Sequence, residues 1–469
     1  MKTPRAYLAS LSALTLAACA AGPDFAAPNP PSAASGPFLS AADPAFDPAP
    51  LPADWWRLYD DPVLDALIAD ALNANTDLRQ SLARIDRARA SLRGARSDRL
   101  PQDNLGAGVS ANRGAEGQVL PGQSREDVFY DAGIDVAYEV DLFGRVGRNI
   151  EAARADLAAT EADADSVRVL VVAETTRAYA DAASSAARVA VAREIVALLD
   201  EQLGLTRRRH DAGLENGLAV ARIATLRDQR AAEIPALEAA RSAALFSLAT
   251  LTGRPPAELP SIAGARSIVL EIDQPLPVGD GAELLARRPD IRAAERRLAA
   301  DTARIGVATA DLYPRITLGG SIGQTGNNFG DIFSGGPLNW VIGPLLNWAF
   351  VNQEPARARI DAAEAETRES LAAFDGTVLV ALEEAETALN TYAQSLRRRA
   401  ALLSARDQAE RAARIVRAQQ REGAINSLDR LDAERTLAEA RAELAAQDAV
   451  VSRAQIDVFR TLGGGWSRG

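Results

Sequence analysis

The chain has 469 residues, a quarter of them charged, and 63 acidic against 52 basic side chains give a formal net charge of −11. That acidic balance argues against a nucleic-acid partner. One Cys, one His and one Met leave little catalytic or metal-binding vocabulary, and no intramolecular disulfide can form.

Lys2 and Arg5 precede an apolar run, residues 6–16, that is too short to span a bilayer. The next residues, Leu16-Ala17-Ala18-Cys19, resemble the lipobox of bacterial lipoproteins, and the chain's only cysteine falls there. Residues 1–18 are therefore read as a lipoprotein signal peptide. Cys19 is read as the lipidation site, carrying S-diacylglycerol and N-palmitoyl, and no other cofactor is expected. Ala20 stands where an aspartate would favour the inner membrane, which points to the outer one. Each buried methylene of such an anchor contributes about 0.8 kcal/mol. Residues 19–60, rich in Pro, Ala and Ser as far as 53, read as a lipid-anchored N-terminal tether.

Asp61-Pro62 is a helix start, with an acidic cap and proline in the first turn. Helical spacing pauses near Asn75-Thr76 and resumes to about Leu100, where Pro101 stops it. A strand at about 103–113 follows, alternating Leu105, Ala107, Val109 and Ala111 with Gly106, Gly108, Ser110 and Asn112. After a polar loop, a second strand at about 129–142 places Tyr130, Ile134, Val136, Tyr138 and Val140 on one face. Asp131, Asp135, Glu139 and Asp141 occupy the other. Such alternation fits a half-buried strand of a soluble sheet, and equally the apolar-outside, polar-inside unit of a transmembrane barrel. From Arg145 to His210 the helical pattern is unbroken by proline, about 100 Å at about 1.5 Å per residue. The stretch 211–217 breaks it, and a helix over 218–251 follows that Pro235 is expected to kink. Five prolines make 254–280 a linker.

The pattern then recurs. Asp77-Leu78-Arg79 matches Asp290-Ile291-Arg292, and Pro101, Gly213 and Gly253 match Pro314, Gly423 and Gly463 at nearly constant offset. Two repeats, 61–253 and 281–463, are expected, with a tail at 464–469. The second carries strands at about 315–323 and 338–350, the latter with Trp340, Ile342, Leu346, Trp348 and Phe350 on one face, and a helix turn at 421–427. Four strands cannot close a barrel, and an open edge cannot sit in lipid. If they span a membrane, several copies must share one barrel, and three copies supply twelve strands. The expected fold is thus an α+β membrane protein, a trimeric channel-tunnel whose shared 12-stranded barrel continues as a long α-helical barrel.

The run Arg288-Pro289-Asp290-Ile291-Arg292-Ala293-Ala294-Glu295-Arg296-Arg297-Leu298, with Tyr313-Pro314-Arg315-Ile316 after it, resembles the signature of TolC-like outer membrane factors. It is most similar to the NodT/OprM lipoprotein branch that serves RND-type efflux pumps, and 139–145 resembles that branch's strand-to-helix junction. Residues 345–355 depart from the pattern by lacking Gly-Gly after the aromatic. The resemblance implies a homotrimer that gives exported small molecules an exit across periplasm and outer membrane. Its implied partners are a periplasmic adaptor, an inner-membrane RND-type transporter and outer membrane lipid. It places adaptor-contact tips at Ala212-Gly213-Leu214 and Glu422-Gly423-Ala424. Asp429 and Asp432 are three apart and so on one helix face, and the resemblance implies that they fall at the periplasmic constriction. Nothing around His210 suggests nucleophilic catalysis and no phosphate-binding loop occurs, so no enzymatic activity is expected. An outer channel for type I protein secretion or heavy-metal efflux shares this pattern, as does a non-conducting, lipid-anchored periplasmic scaffold.

Overall fold

The computed structural model describes residues 20–115, 124–333, 338–422, 425 and 427–466. Cys19, Gly423 and Ala424 lie outside these. In chain order the main helices and strands are α1 (Pro62–Ala74), α2 (Thr76–Ser97), β1 (Gln102–Arg113), β2 (Glu126–Val140), α3 (Arg145–Asp211) and α4 (Gly217–Leu251). A short α5 (Gly281–Arg287) leads into α6 (Pro289–Ala310), β3 (Arg315–Gly326), β4 (Leu338–Asn347), α7 (Glu354–Arg421) and α8 (Ser427–Thr461). Lengths recur: α2 and α6 have 22 residues each, α3 and α7 have 67 and 68, α4 and α8 have 35 each.

Polar caps set the boundaries. Asp61 accepts from the amides of Val63 and Leu64 at 2.9 and 3.3 Å, starting α1. Asn75 separates α1 from α2 by capping Asp77 and Leu78 at 2.9 and 3.2 Å, while its own amide donates to the Leu251 carbonyl at 3.0 Å. Asp141 caps α3 through Val146 and Gly147 at 3.0 and 2.7 Å. Helix α4 runs unbroken through Pro235.

The chain divides into two compact units. One, built from residues 20–28, 84–161 and 293–374, holds the four strands in the order β1-β2-β3-β4, every neighbour antiparallel. Its helices follow the same order. Leu92 of α2 packs on Val146 and Ile150 of α3, Arg304 of α6 pairs with Asp156 of α3 at 2.6 Å, and Ser370 of α7 bonds Asp301 of α6. Thus β1 with α2, and β4 with α7, form the two lateral edges of this unit. Pro344, which has no amide N–H, lies in edge strand β4. Strand β4 ends at Asn347, so Trp348 and Phe350 are not strand residues as expected. Trp348 instead donates its indole N–H to the Leu312 carbonyl at 3.0 Å, and this bond shapes the junction that lacks the glycine pair.

The other unit, residues 29–83, 162–292 and 375–466, has the main core. Trp55, fully buried, stacks on Phe459 with ring centroids 4.7 Å apart, among Tyr59, Leu64, Tyr179, Leu389 and Tyr392. Phe38, Phe46 and Leu51 are buried in the same cluster, so this part of the expected tether belongs to the packed fold. Residues 46–47 pair in parallel with 276–277 of the expected linker. Apolar side chains spaced through a Pro-rich segment supply enough buried surface to dock it. Asp61 is buried, and beyond its cap it accepts from the Tyr179 hydroxyl at 2.9 Å and Arg266 at 2.8 Å. Burial, then that hydrogen bond, push the Tyr179 hydroxyl well above its ordinary pKa.

Candidate functional site

In an antiparallel sheet, residues directly opposite share a face. The register aligns Leu105, Ile134, Ile322 and Trp340 across all four strands, and Asp103, Val136, Gly320 and Ile342 in the next row on the same face. Leu105, Ile134, Ile322, Trp340 and Ile342 are all exposed. The opposite face aligns Asn104, Asp135, Ser321 and Val341, and below them Gly106, Gly133, Gly323 and Asn339. One face is therefore largely apolar, with Asp103 and Gln324 among the polar side chains on it, and the other is largely polar and glycine-rich. A side chain at Gly133 would stand 3.1 Å from the Ile322 carbonyl and 3.2 Å from the Gly323 Cα, so close strand approach accounts for that glycine. Among the described residues, no helix is long and apolar enough to cross a membrane.

The segment after Cys19 is seated in the strand-bearing unit. Ala21 donates to the Phe143 carbonyl at 3.0 Å. Arg148, buried at 6% exposure, donates to the Ala21 carbonyl at 3.2 Å, the Gly22 carbonyl at 3.4 Å, Asp24 at 2.7 Å and Glu151 at 2.8 Å. Gly22 adopts φ +84° and lies against Gly306, where a Cβ would meet the Gly306 Cα at 2.4 Å. Sequence reading missed this seat: a lone arginine in a helix carries no local signal of a partner 124 residues upstream.

At the first tip, the Gly213 amide bonds the His210 carbonyl and the Leu214 amide bonds the Arg209 carbonyl, both at 2.8 Å. With Gly213 at φ +75° this is a Schellman ending of α3. Asn216 caps α4 through the Ala219 amide at 2.9 Å. Ala212, Gly213 and Leu214 are all exposed, Leu214 strongly, and the His210 ring contacts the Glu215 carbonyl through Nδ1 at 2.9 Å. At the second tip, Glu422 is exposed and closes α7 through the Ala418 carbonyl at 3.3 Å.

Asp429 and Asp432 occupy the first turns of α8 and line a groove shared with Leu218, Arg222 and Thr225 of α4. Asp432 accepts from Arg435 at 2.9 Å, so its charge carries an exposed counterion one turn away. Further along, a half-buried network that the sequence did not suggest joins α7 to α8. Glu434 takes a bidentate pair from Arg417 at 2.6 Å on each oxygen. That bond holds the Arg417 guanidinium above its ordinary pKa, whereas burial pulls Arg430 beside it down.

Comparison with known proteins agrees with this geometry. Residues 67–254 and 281–464 match the family described as outer membrane efflux protein. The chain is 34% identical over 470 residues to the outer membrane protein OprJ of Pseudomonas aeruginosa, covering 98% of this chain and 96% of that one. It is 29% identical over 477 residues to the antibiotic efflux pump outer membrane protein ArpC of Pseudomonas putida, covering 97% and 95%. Among solved structures, the outer-membrane channel OprN superposes with a TM-score of 0.88 at 35% identity, covering 96% of this chain and all of that one. The chain belongs to the outer membrane efflux protein family and has its channel-tunnel fold, mostly helical with some sheet.

Proposed function

We propose that the protein is the outer membrane channel of a tripartite RND-type efflux system, a passive exit duct for drugs or other toxic small molecules. The observation that carries this reading is the four-stranded sheet, largely apolar and exposed across one face, largely polar across the other, and with no further strand paired at either edge among the described residues. Such a sheet is stable in lipid only if further strands complete it. Strands β1 and β4 point in opposite senses, so β4 of one copy can continue antiparallel onto β1 of the next. Three copies give an even-numbered, 12-stranded barrel within the known range. The recurring helix lengths support an origin in two repeats, 61–253 and 281–463, and the two stretches matched by the family support it further.

In this reading Cys19 bears the lipid anchor, and the seat formed by Arg148, Gly22 and Gly306 holds the anchored end. The tips at Ala212-Gly213-Leu214 and Glu422-Gly423-Ala424 receive a periplasmic adaptor, which links the channel to an inner-membrane transporter. Asp429 and Asp432 ring the narrow periplasmic end. The family's efflux relatives, among them the ArpC protein named for an antibiotic efflux pump, support the small-molecule cargo over secreted protein. The test is conductance. Detergent-extracted protein reconstituted in planar bilayers should open discrete ion channels, and deletion of the gene should raise drug susceptibility. An oligomer that binds lipid but never conducts would leave only a scaffold.

A further inference from the structure

A cavity of about 390 Å³ lies wholly within the unit that holds the main core, between α3, α7 and α8. Its wall on α3 runs from Ile195 to Arg208, about 20 Å at about 1.5 Å per residue. Spread over that length, the volume averages about 20 Å² in section, a slot and not a round pocket. The two ends differ in chemistry. Away from the first tip, Ile195, Leu199 and Ala438 are buried together, and Leu437 is buried on the same lining. Towards the tip the lining carries Arg208, Arg417 and Arg430. Glu434 neutralises Arg417 at 2.6 Å, and at the far end Glu194 neutralises Arg441 at 3.0 Å. Arg430 has only the neutral Gln420 at 2.6 Å and reaches Glu434 no closer than 3.8 Å. Burial, partly opposed by Glu434, pulls its guanidinium down, and like charge on Arg417 and Arg209 adds to that. Arg208 makes no ion pair among the described residues. Glu201 is the remaining acid on the lining, so two arginines face one carboxylate. A neutral donor is idle as well. Gln202 is buried at 6% exposure and lines the slot, yet its side-chain amide makes no hydrogen bond among the described residues. A buried amide without a partner is costly, and a ligand in the slot can supply one.

We propose that this slot binds a single-chain anionic amphiphile, a fatty acid, with its carboxylate between Arg208 and Arg430 and its chain along Ile195, Leu199 and Leu437. The inference concerns one copy of the chain and does not depend on whether several share a barrel. Arginine forks take a carboxylate through parallel N–H···O bonds, and the Gln202 amide is a further donor on the same wall. Ile195, Leu199, Gln202 and Leu205 follow helical spacing, so one face of α3 lies along the slot from its apolar end to its charged end. One negative charge balances the arginine that Glu201 leaves over. A cation is repelled there, and a neutral chain leaves both the arginines and Gln202 unserved. The slot's section suits an extended chain, whereas a rigid fused-ring acid is broader. Bound there, the fatty acid joins α3 to α7 and α8 beside the first tip.

The test uses a dodecanoate with a photoactivatable diazirine at its chain end, on the full-length protein in nanodiscs of zwitterionic lipid. Peptide mapping by mass spectrometry should place the label near Ile195, Leu199 and Leu437. Unlabelled dodecanoate should displace it about tenfold better than dodecan-1-ol or dodecyltrimethylammonium. Arg208→Glu changes an exposed side chain with no partner to lose, and should weaken labelling about tenfold or more, whereas Arg208→Lys should keep most of it. Gln202→Leu should weaken it several-fold. Arg411→Glu alters the same charge on α7 at an exposed position off the lining, and should leave labelling unchanged. A label confined to the strand-bearing unit, or one indifferent to Arg208→Glu, refutes the site. Equal displacement by the alcohol leaves only an apolar crevice and refutes it too. Equal displacement by deoxycholate, a rigid ring acid, overturns the single-chain assignment. Conductance tests the channel reading separately, so that reading survives each of these failures.

Discussion

At Arg148 one side chain organises a whole segment. Its planar fork reaches two carbonyls and Asp24 at once, which the point charge of a lysine cannot reproduce. Hydrogen bonds to charged groups contribute about 1.5–3 kcal/mol each when buried. Arg148→Ala should therefore release residues 21–24, and Arg148→Lys should restore little of their order. Limited proteolysis and a spin label at Ala20 would report it, and an N-terminal segment as well protected in both variants as in wild type would show that the seat does not hold it. Asp61 makes a similar case in the other unit. Asp61→Ala removes a helix cap worth about 1 kcal/mol and also strips Tyr179 and Arg266 of their acceptor. It should lower the unfolding midpoint more than Tyr179→Phe, which removes one hydrogen bond and leaves the cap. The cap was legible in Asp61-Pro62, but the partners 118 and 205 residues away were not, because local pattern carries no information on what a buried oxygen will face.

For the strands, period-two alternation was enough to place both faces, and the observed register keeps the apolar and acidic sets of β2 apart, with Asp103 of β1 an acid that falls on the apolar face. Ile134→Arg, on the apolar face, should cost about 2–4 kcal/mol if that face meets the bilayer middle. Asp135→Arg, one residue along and on the opposite face, should fold into vesicles like wild type and shift only ion preference. Gly133 is a poor choice for that control, since a Cβ there would crowd the Ile322 carbonyl at 3.1 Å and the Gly323 Cα at 3.2 Å. Equal loss of folded oligomer in Ile134→Arg and Asp135→Arg would mean that neither face meets lipid. At the helix ends, glycine marked the turns reliably because φ near +70° is open to few other residues. Gly213→Val should weaken the first tip by about 1 kcal/mol or more. Adaptor binding measured by surface plasmon resonance should fall with it, and an unchanged affinity would remove this tip from the contact. Legibility failed where irregular backbone packs by scattered apolar side chains. Residues 38–59 look like linker by composition, yet Phe38, Phe46, Leu51 and Trp55 are core.

The proposed architecture of the whole molecule rests on arithmetic rather than propensity: a four-stranded sheet with no further strand paired at either edge among the described residues is incomplete in a single chain. In the proposed trimer, three-fold symmetry would turn Asp429 and Asp432 from a surface pair into six carboxylates around one axis. Their field should attract cations, weaken with ionic strength and bind trivalent cations strongly. Arg435 at 2.9 Å from Asp432 offsets part of that field. Two opposite outcomes are therefore expected. Asp429→Ser with Asp432→Ser should reduce cation selectivity and abolish block by trivalent cations. Arg435→Ala should raise both, since it unmasks a carboxylate without moving it. Trimer stability should hardly change in either, because exposed pairs of this kind contribute at most about 1 kcal/mol. Reversal potentials and block in single-channel recordings at low salt measure both directions in one preparation. A steric role for the groove between α4 and α8 predicts conductance changes of the same sign for any truncation there. Opposite signs for the two variants can arise only if the charges face the permeating ion, and selectivity indifferent to both would put these aspartates outside the lumen.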